Sequence, residues 1–322
     1  MNVAMQTILI ITIYMEIIIG YIGNGFIALV NFLFWVKTKK ISLFDKIVTA
    51  LASCRIVLLF VILIFQVIHV HFSDLLLNIT SARITTIIWV TVNHFNSWFS
   101  TILSIFYVLK IANFSHPLFP YLKWRLTKVV SWTFLISLLL LLLNIVVLNV
   151  CINVFNDGSI RNISDTSNWG NIKNLYKHLV FASSMFTFIP FTMCLATCLL
   201  LVFSLWKHLK RIQHNFRGSR DVSTIAHIKA LQTGVAFLLL YTMFLFSVFV
   251  QVLSFELLDE NVIILWDQAT TTAFLLGHSF VLILGNNKLK QTSVLVWRWL
   301  KCRLKDTEPK NSKHILGISC MF

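Results

Sequence analysis

The length of the apolar runs constrains this chain more than any other feature. They come in blocks of about 20–28 residues, the length a helix needs to cross a bilayer. Seven such blocks are read, at about 7–35, 46–69, 85–110, 128–150, 180–206, 229–255 and 262–285, followed by a basic tail at 286–322. Hydrophobic residues make up 57% of the chain and charged residues 12%, far too few for the surface of a soluble domain. Pro is scarce, and neither a linker nor a repeat divides the sequence, so one domain spans residues 1–322. The expected fold is an all-α seven-transmembrane helix bundle with a short amphipathic helix after the seventh span. The first run is too long for a signal h-region and lacks a basic n-region, so it is expected to stay as an anchor.

The formal net charge of +15 raises the question of nucleic acid, and the placement of the charges answers it. Arg55 lies inside the second span, and Arg83, Arg161, Lys173 and Lys177 fall in the even connections. All other Lys and Arg fall in the odd connections and the tail. Such a bias orients helices in a membrane. It predicts an N-terminus outside the cell, a C-terminus in the cytoplasm and an odd number of crossings, and it leaves no nucleic-acid surface. Of the N-x-S/T sequons, Asn78 and Asn162 fall in outer connections. Asn162 is the favoured glycosylation site because its connection, from about Cys151 to His178, is polar and long. Asn113 falls on the cytoplasmic side and is expected to stay unmodified.

Polar residues at bilayer depth need a partner or a wet cavity. Arg55 lies about nine residues into the second span, roughly 14 Å along its axis. Asn24 on the first span and His278 or Ser279 on the seventh lie at comparable depth and could supply acceptors. The arrangement reads either as an interhelical clamp or as a switch that repacks on activation. On the third span, Trp89, Asn93, Asn96, Ser97 and Ser100 share one helical face. That face serves either interhelical hydrogen bonding or a ligand cavity, with the indole as a flat wall and the amides as orienting groups. Asp267, Gln268 and Thr270 to Thr272 could complete such a cavity from the seventh span. Glu16 is an isolated intramembrane acid, best read as hydrogen-bonded or neutral.

The six Cys are scattered. Cys194 and Cys198 sit four apart in an apolar helix without nearby ligand types, so packed thiols fit better than a metal site. From Lys288 to Lys305, Trp and Leu mix with basic residues, which reads as an interfacial helix lying against anionic lipid. Cys302 near its end is a candidate for palmitoylation, whereas Cys320 is not placed for prenylation. No motif of a hydrolase, metalloprotease or nucleotide-binding enzyme is present, and no cofactor is implied. A transporter or channel is the rival class, but the two halves do not match in hydropathy.

Several motifs carry a resemblance over almost the whole chain. They include Gly23 to Ile27 (GNGFI), Leu51 to Arg55 (LASCR), Trp89 to Trp98 (WVTVNHFNSW), Ser104 to Ser115 (SIFYVLKIANFS), Tyr121 to Arg125 (YLKWR), Phe203 to His208 (FSLWKH), Gly218 to Asp221 (GSRD), Ala226 to Thr233 (AHIKALQT), and His278 to Asn286 (HSFVLILGN) followed by Lys288 to Gln291. In these the chain resembles the type 2 (bitter) taste receptors, a branch of the G-protein-coupled receptors. Neither D-R-Y after the third span nor N-P-x-x-Y in the seventh is present, and no Cys caps the third span, which fits that branch. Leu275 stands where the family often has Pro, which implies a straighter seventh helix.

The resemblance implies an agonist pocket between the third, fifth, sixth and seventh spans that opens outward, with Trp89, Asn93 and Gln268 at matching positions; Asn96 shares their polar face. The neutral amide at Gln268 argues against a strict demand for a cationic ligand. The resemblance further implies bitter small-molecule agonists, a plasma-membrane location and a heterotrimeric G protein of the gustducin type, received near Lys110, Arg211 and Lys229. A pheromone (vomeronasal type 1) receptor, whose helix motifs are related, is the nearest alternative.

Overall fold

The computed structural model describes residues 3–71, 79–112, 118–161, 168–215, 222–254 and 260–307. These fold as helices α1 (Val3–Thr38), α2 (Leu43–His71), α3 (Ile79–Ile111), α4 (Leu118–Trp124), α5 (Leu126–Arg161), α6 (Asn168–Asn215), α7 (Val222–Ser254), α8 (Glu260–Gly285) and α9 (Asn287–Thr307). The seven long helices before α9 are the spans. They close a ring in the order α1, α2, α3, α5, α6, α7, α8 and back to α1, with α3 also packed on α6 and α2 on α8. The two largest apolar clusters inside the ring include Ile13, Leu59, Ile62 and Phe274 in one and Ile27, Leu51, Phe106 and Leu282 in the other. Outside it stands a belt of exposed apolar side chains, among them Ile22, Leu139, Leu142, Met243 and Phe246. Water would not tolerate so large an apolar surface, and hydrocarbon requires it.

Among the described residues, five helices contain stretches long and apolar enough to cross a membrane: Gln6–Thr38, Leu43–Ile68, Leu126–Val154, Phe181–Ser204 and Leu265–Gly285. The span in α3 falls short because its polar residues point inward; Asn96, Ser97, Ser100, Thr101 and Ser104 are all buried. In α7 the apolar run is shorter, at Gln232–Phe244. Most helices extend beyond their apolar blocks, since hydropathy marks the slab and not the end of the hydrogen-bond ladder. The extension is longest where the sequence suggested a polar connection: α5 continues to Arg161 and α6 begins at Asn168. The short α4, in the connection after α3, was not anticipated.

Local chemistry fixes the turns at the end of the bundle where the basic connections gather. Lys39 closes α1 in the left-handed conformation, at φ 52°, a position where glycine is usual. The Ser42 hydroxyl caps α2 by accepting from the Asp45 amide at 3.0 Å. Asn286 caps α9 by accepting from the Lys288 amide at 2.9 Å. The Lys288 ammonium then reaches Asp45 at 2.7 Å, pinning α9 to α2, and lies over the Phe34 ring of α1. Trp297, Trp299 and Leu295 remain exposed on α9.

Candidate functional site: a buried clamp joining four helices

Several packed pairs of helices are tied by a few polar contacts, as expected where hydrophobic burial does not drive helix association. Asn31 donates to Thr49 (α1–α2, 3.1 Å), and Ser247 donates to Thr270 (α7–α8, 3.0 Å). His94 Nε2 meets the Ser137 carbonyl (α3–α5, 2.8 Å). Ser104 shares a proton with Thr197 at 2.7 Å, and Thr101 donates to the Pro190 carbonyl at 2.9 Å, which joins α3 to α6 around the proline inside α6.

Arg55 is the centre of the network and is fully buried. Its Nε donates to Asn96 Oδ1 on α3 at 3.2 Å, and its Nη1 donates to Ser279 Oγ on α8 at 3.2 Å. Its Nη2 meets His278 Nδ1, also on α8. For Nδ1 to accept, the imidazole is neutral and carries its proton on Nε2. Ser279 has one hydroxyl proton and two acceptors, Asn24 Oδ1 on α1 at 2.9 Å and its own helix's Leu275 carbonyl at 2.8 Å. Asn24 in turn donates to the Gly20 carbonyl. One guanidinium therefore ties four helices, α1, α2, α3 and α8, entirely through neutral groups. The His278 ring lies 4.3 Å from the Phe237 ring of α7, centroid to centroid, which brings a fifth helix into contact.

The residues expected to supply Arg55 with acceptors are thus all present. Ser279 and His278 bind directly, and Asn24 binds through Ser279. Asn96, nominated for ligand contact, accepts from Arg55 through its Oδ1. Its position on the shared face of α3 did not reveal this, because the face is wide enough to serve both the clamp and the region above it.

Towards the N-terminal end lie the remaining nominated residues. Trp89 is half-buried with its ring 6.1 Å from Phe65 of α2, and Asn93 is half-buried one turn further along α3. Gln268 is buried on α8 and its Oε1 has no hydrogen-bond partner. Glu16 accepts from the Thr272 hydroxyl at 2.5 Å, joining α1 to α8. Towards the basic end a cavity of about 210 Å³ opens between α3, α6, α7 and α8, bounded by Ser104, Tyr107, Cys198, Thr233 and His278. Of the residues singled out in the sequence, His278, Ser100 and Cys198 line it, yet the cavity itself is a feature that inspection of the sequence missed. Small and hydroxyl side chains on three helices, with Gly234 and Gly285 at its wall, are the signal that could have found it.

Lys110 is exposed at the end of α3, over the Phe106 ring. Arg211 lies in α6 and Lys229 in α7. Cys302 is partly buried on α9. Asn78 and Asn162 lie outside the described residues. Among the described residues no group of three His, Cys, Asp or Glu side chains could hold a metal ion.

An enzyme gathers its titratable groups around one reacting centre; here the buried groups join helices to one another, with the polar residues Asn93 and Gln268 on one side of the join and a largely apolar cavity on the other. That is the organisation of a seven-helix membrane receptor. The sequence model of the taste receptor protein (TAS2R) family matches residues 1–301, and the chain belongs to that family. It is 46% identical over 308 residues to taste receptor type 2 member 140 of Rattus norvegicus, covering 96% of this chain and 99% of that one. It is 45% and 44% identical to taste receptor type 2 member 14 of Macaca mulatta and of Homo sapiens, in each case over 314 residues and 98% of both chains.

Proposed function

We propose that this receptor detects bitter small molecules in the region between Trp89, Asn93 and Gln268, and passes the signal through the Arg55 clamp to a heterotrimeric G protein. The basic end faces the cytoplasm of a cell whose plasma membrane the bundle spans, and Lys110, Arg211 and Lys229 face the G protein, of the gustducin type. The observation that carries this reading is the position of the clamp. It sits between the Trp89–Gln268 region and the cavity at the basic end, and it joins the helix bearing Trp89 and Asn93 to the helix bearing Gln268.

A ligand shifts the balance between two helix arrangements only by its difference in affinity for them. An agonist that wedges between α3 and α8 at the N-terminal end pulls on Asn96 and Ser279 unequally, and Arg55 must then exchange acceptors. The apolar wall of Trp89 and Phe65, with neutral amides beside it, favours flat and largely apolar agonists bearing a hydrogen-bonding group. Asn162 and then Asn78 are the proposed glycan sites, Cys302 the palmitoylation site, and α9 the element lying on anionic lipid.

Calcium flux in cells carrying a promiscuous G protein tests the proposal. Responses to some members of a broad bitter panel are expected, and Asn93→Ala or Gln268→Ala should shift the half-maximal concentration at least about tenfold, the equivalent of one lost buried hydrogen bond. Silence across the panel despite confirmed surface expression would count against it.

A further inference from the structure

Gln66 on α2 is fully buried, yet neither its Oε1 nor its Nε2 has a hydrogen-bond partner. Gln268 on α8 is 6% exposed with an unpartnered Oε1. Burying such atoms unpaired is costly, so each calls for a polar companion.

Two marks of helix register bring these amides and the Glu16 carboxylate together, the first for the amides and the second for the acid. The first is the Arg55–Ser279 contact at 3.2 Å, which fixes α2 against the antiparallel α8. Gln66 lies eleven residues from Arg55 and Gln268 eleven residues from Ser279, both towards the N-terminal end. Eleven residues is about three helical turns, so both side chains return to the face they started from, roughly 16 Å along. The second is Gly20 of α1, where an added Cβ would lie 2.9 Å from Leu59 of α2. Seven residues beyond Leu59 is Gln66, and seven before Gly20 is Ile13, which places Glu16 about one turn from Gln66. Thr272, one turn from Gln268, donates to Glu16. Ile13, Ile62, Leu265 and Ala269, which surround these positions, belong to one packed cluster.

The seam of α1, α2 and α8 thus gathers one carboxylate and two amide oxygens in an apolar surround. Oxygen ligands bearing a single negative charge suit a monovalent cation; a divalent ion would call for more charge, and a transition metal for imidazole or thiolate. We propose that Glu16, Gln66 and Gln268 hold a monovalent cation, either an alkali metal ion or the ammonium group of a small amine. The Gln66 amide nitrogen donates to water carried with it. Gln268 is shared with the proposed agonist region, but the cation site needs no agonist.

Thermal unfolding of the purified full-length receptor in lipid nanodiscs tests this, without agonist, in the chlorides of sodium, potassium, methylammonium and N-methylglucamine at equal ionic strength. At least one of the three small cations should raise the midpoint by about 2–4 °C over N-methylglucamine at concentrations well above its Kd. Glu16→Gln should erase the difference, and Gln66→Met, which keeps length and packing, should erase or halve it. A rise with the metal ions alone assigns an alkali-ion site; a rise with methylammonium alone assigns an amine site. Equal midpoints in all four salts overturn the proposal, as does a cation-dependent rise undiminished in Gln66→Met. The second outcome stays decisive even if Glu16→Gln does not fold.

Discussion

A guanidinium at zero exposure in a membrane bundle is expensive, and among the described residues Arg55 finds only neutral acceptors for the hydrogen bonds it donates. Its value therefore lies in geometry. A planar fork reaches three acceptors on two helices at once, which an ammonium cannot do. Arg55→Lys should retain part of the surface expression, and Arg55→Ala, which leaves a void and three stranded acceptors, several-fold less. Flow cytometry of an epitope-tagged receptor gives the ranking. Wild-type expression and signalling in Arg55→Ala would refute the clamp and the switch together. The acceptors Asn24, His278 and Ser279 were legible in the sequence because polar residues at bilayer depth have so few ways to be satisfied. Asn96 was not, since its choice between Arg55 and a ligand depends on how closely α2 and α3 approach.

At the scale of elements, α7 and α8 come close at the basic end. A Cβ on Gly285 would lie 2.8 Å from Thr233 Cγ2 of α7. Gly285→Ala should push the two helices apart there and raise the basal calcium signal about two- to threefold if parting of that end is what admits the G protein. Thr233→Ser removes the offending methyl, and the double variant should return to wild-type basal activity. A basal signal unmoved by Gly285→Ala would separate this contact from activation. The spans α1, α2, α5, α6 and α8 were plain from hydropathy. Polar residues on its inward face lower the hydropathy of α3, yet its apolar run at about 85–110 and the bias of the charges already mark it as a span. Helix ends were legible only to the edge of the apolar slab: α6 begins at Asn168, well before its apolar block at about 180.

For the whole molecule, charge bias makes a prediction that the fold leaves untouched. The basic connections share one end of the bundle with α9, and a tag at the N-terminus occupies the other. Antibody should therefore label an N-terminal tag on intact cells and a C-terminal tag only after permeabilisation. The opposite labelling would reverse the proposed direction of signalling. The seven-helix bundle was legible in the sequence, whereas the order of the helices in the ring, the cavity near Tyr107 and the unpaired amide of Gln66 emerge only when seven helices are set side by side.

Ser279 holds a single hydroxyl proton between the Asn24 side chain and the Leu275 carbonyl. The resting clamp therefore exists as two rotational isomers that differ in no heavy-atom position. One lends the proton to the first helix, the other returns it to the turn it came from. Vibrational spectroscopy should show this as a split O–D stretch in deuterated receptor, and agonist should collapse the pair to one band. The quiet state of this receptor would then be stabilised in part by disorder of one hydrogen, a reserve that activation spends without moving the backbone.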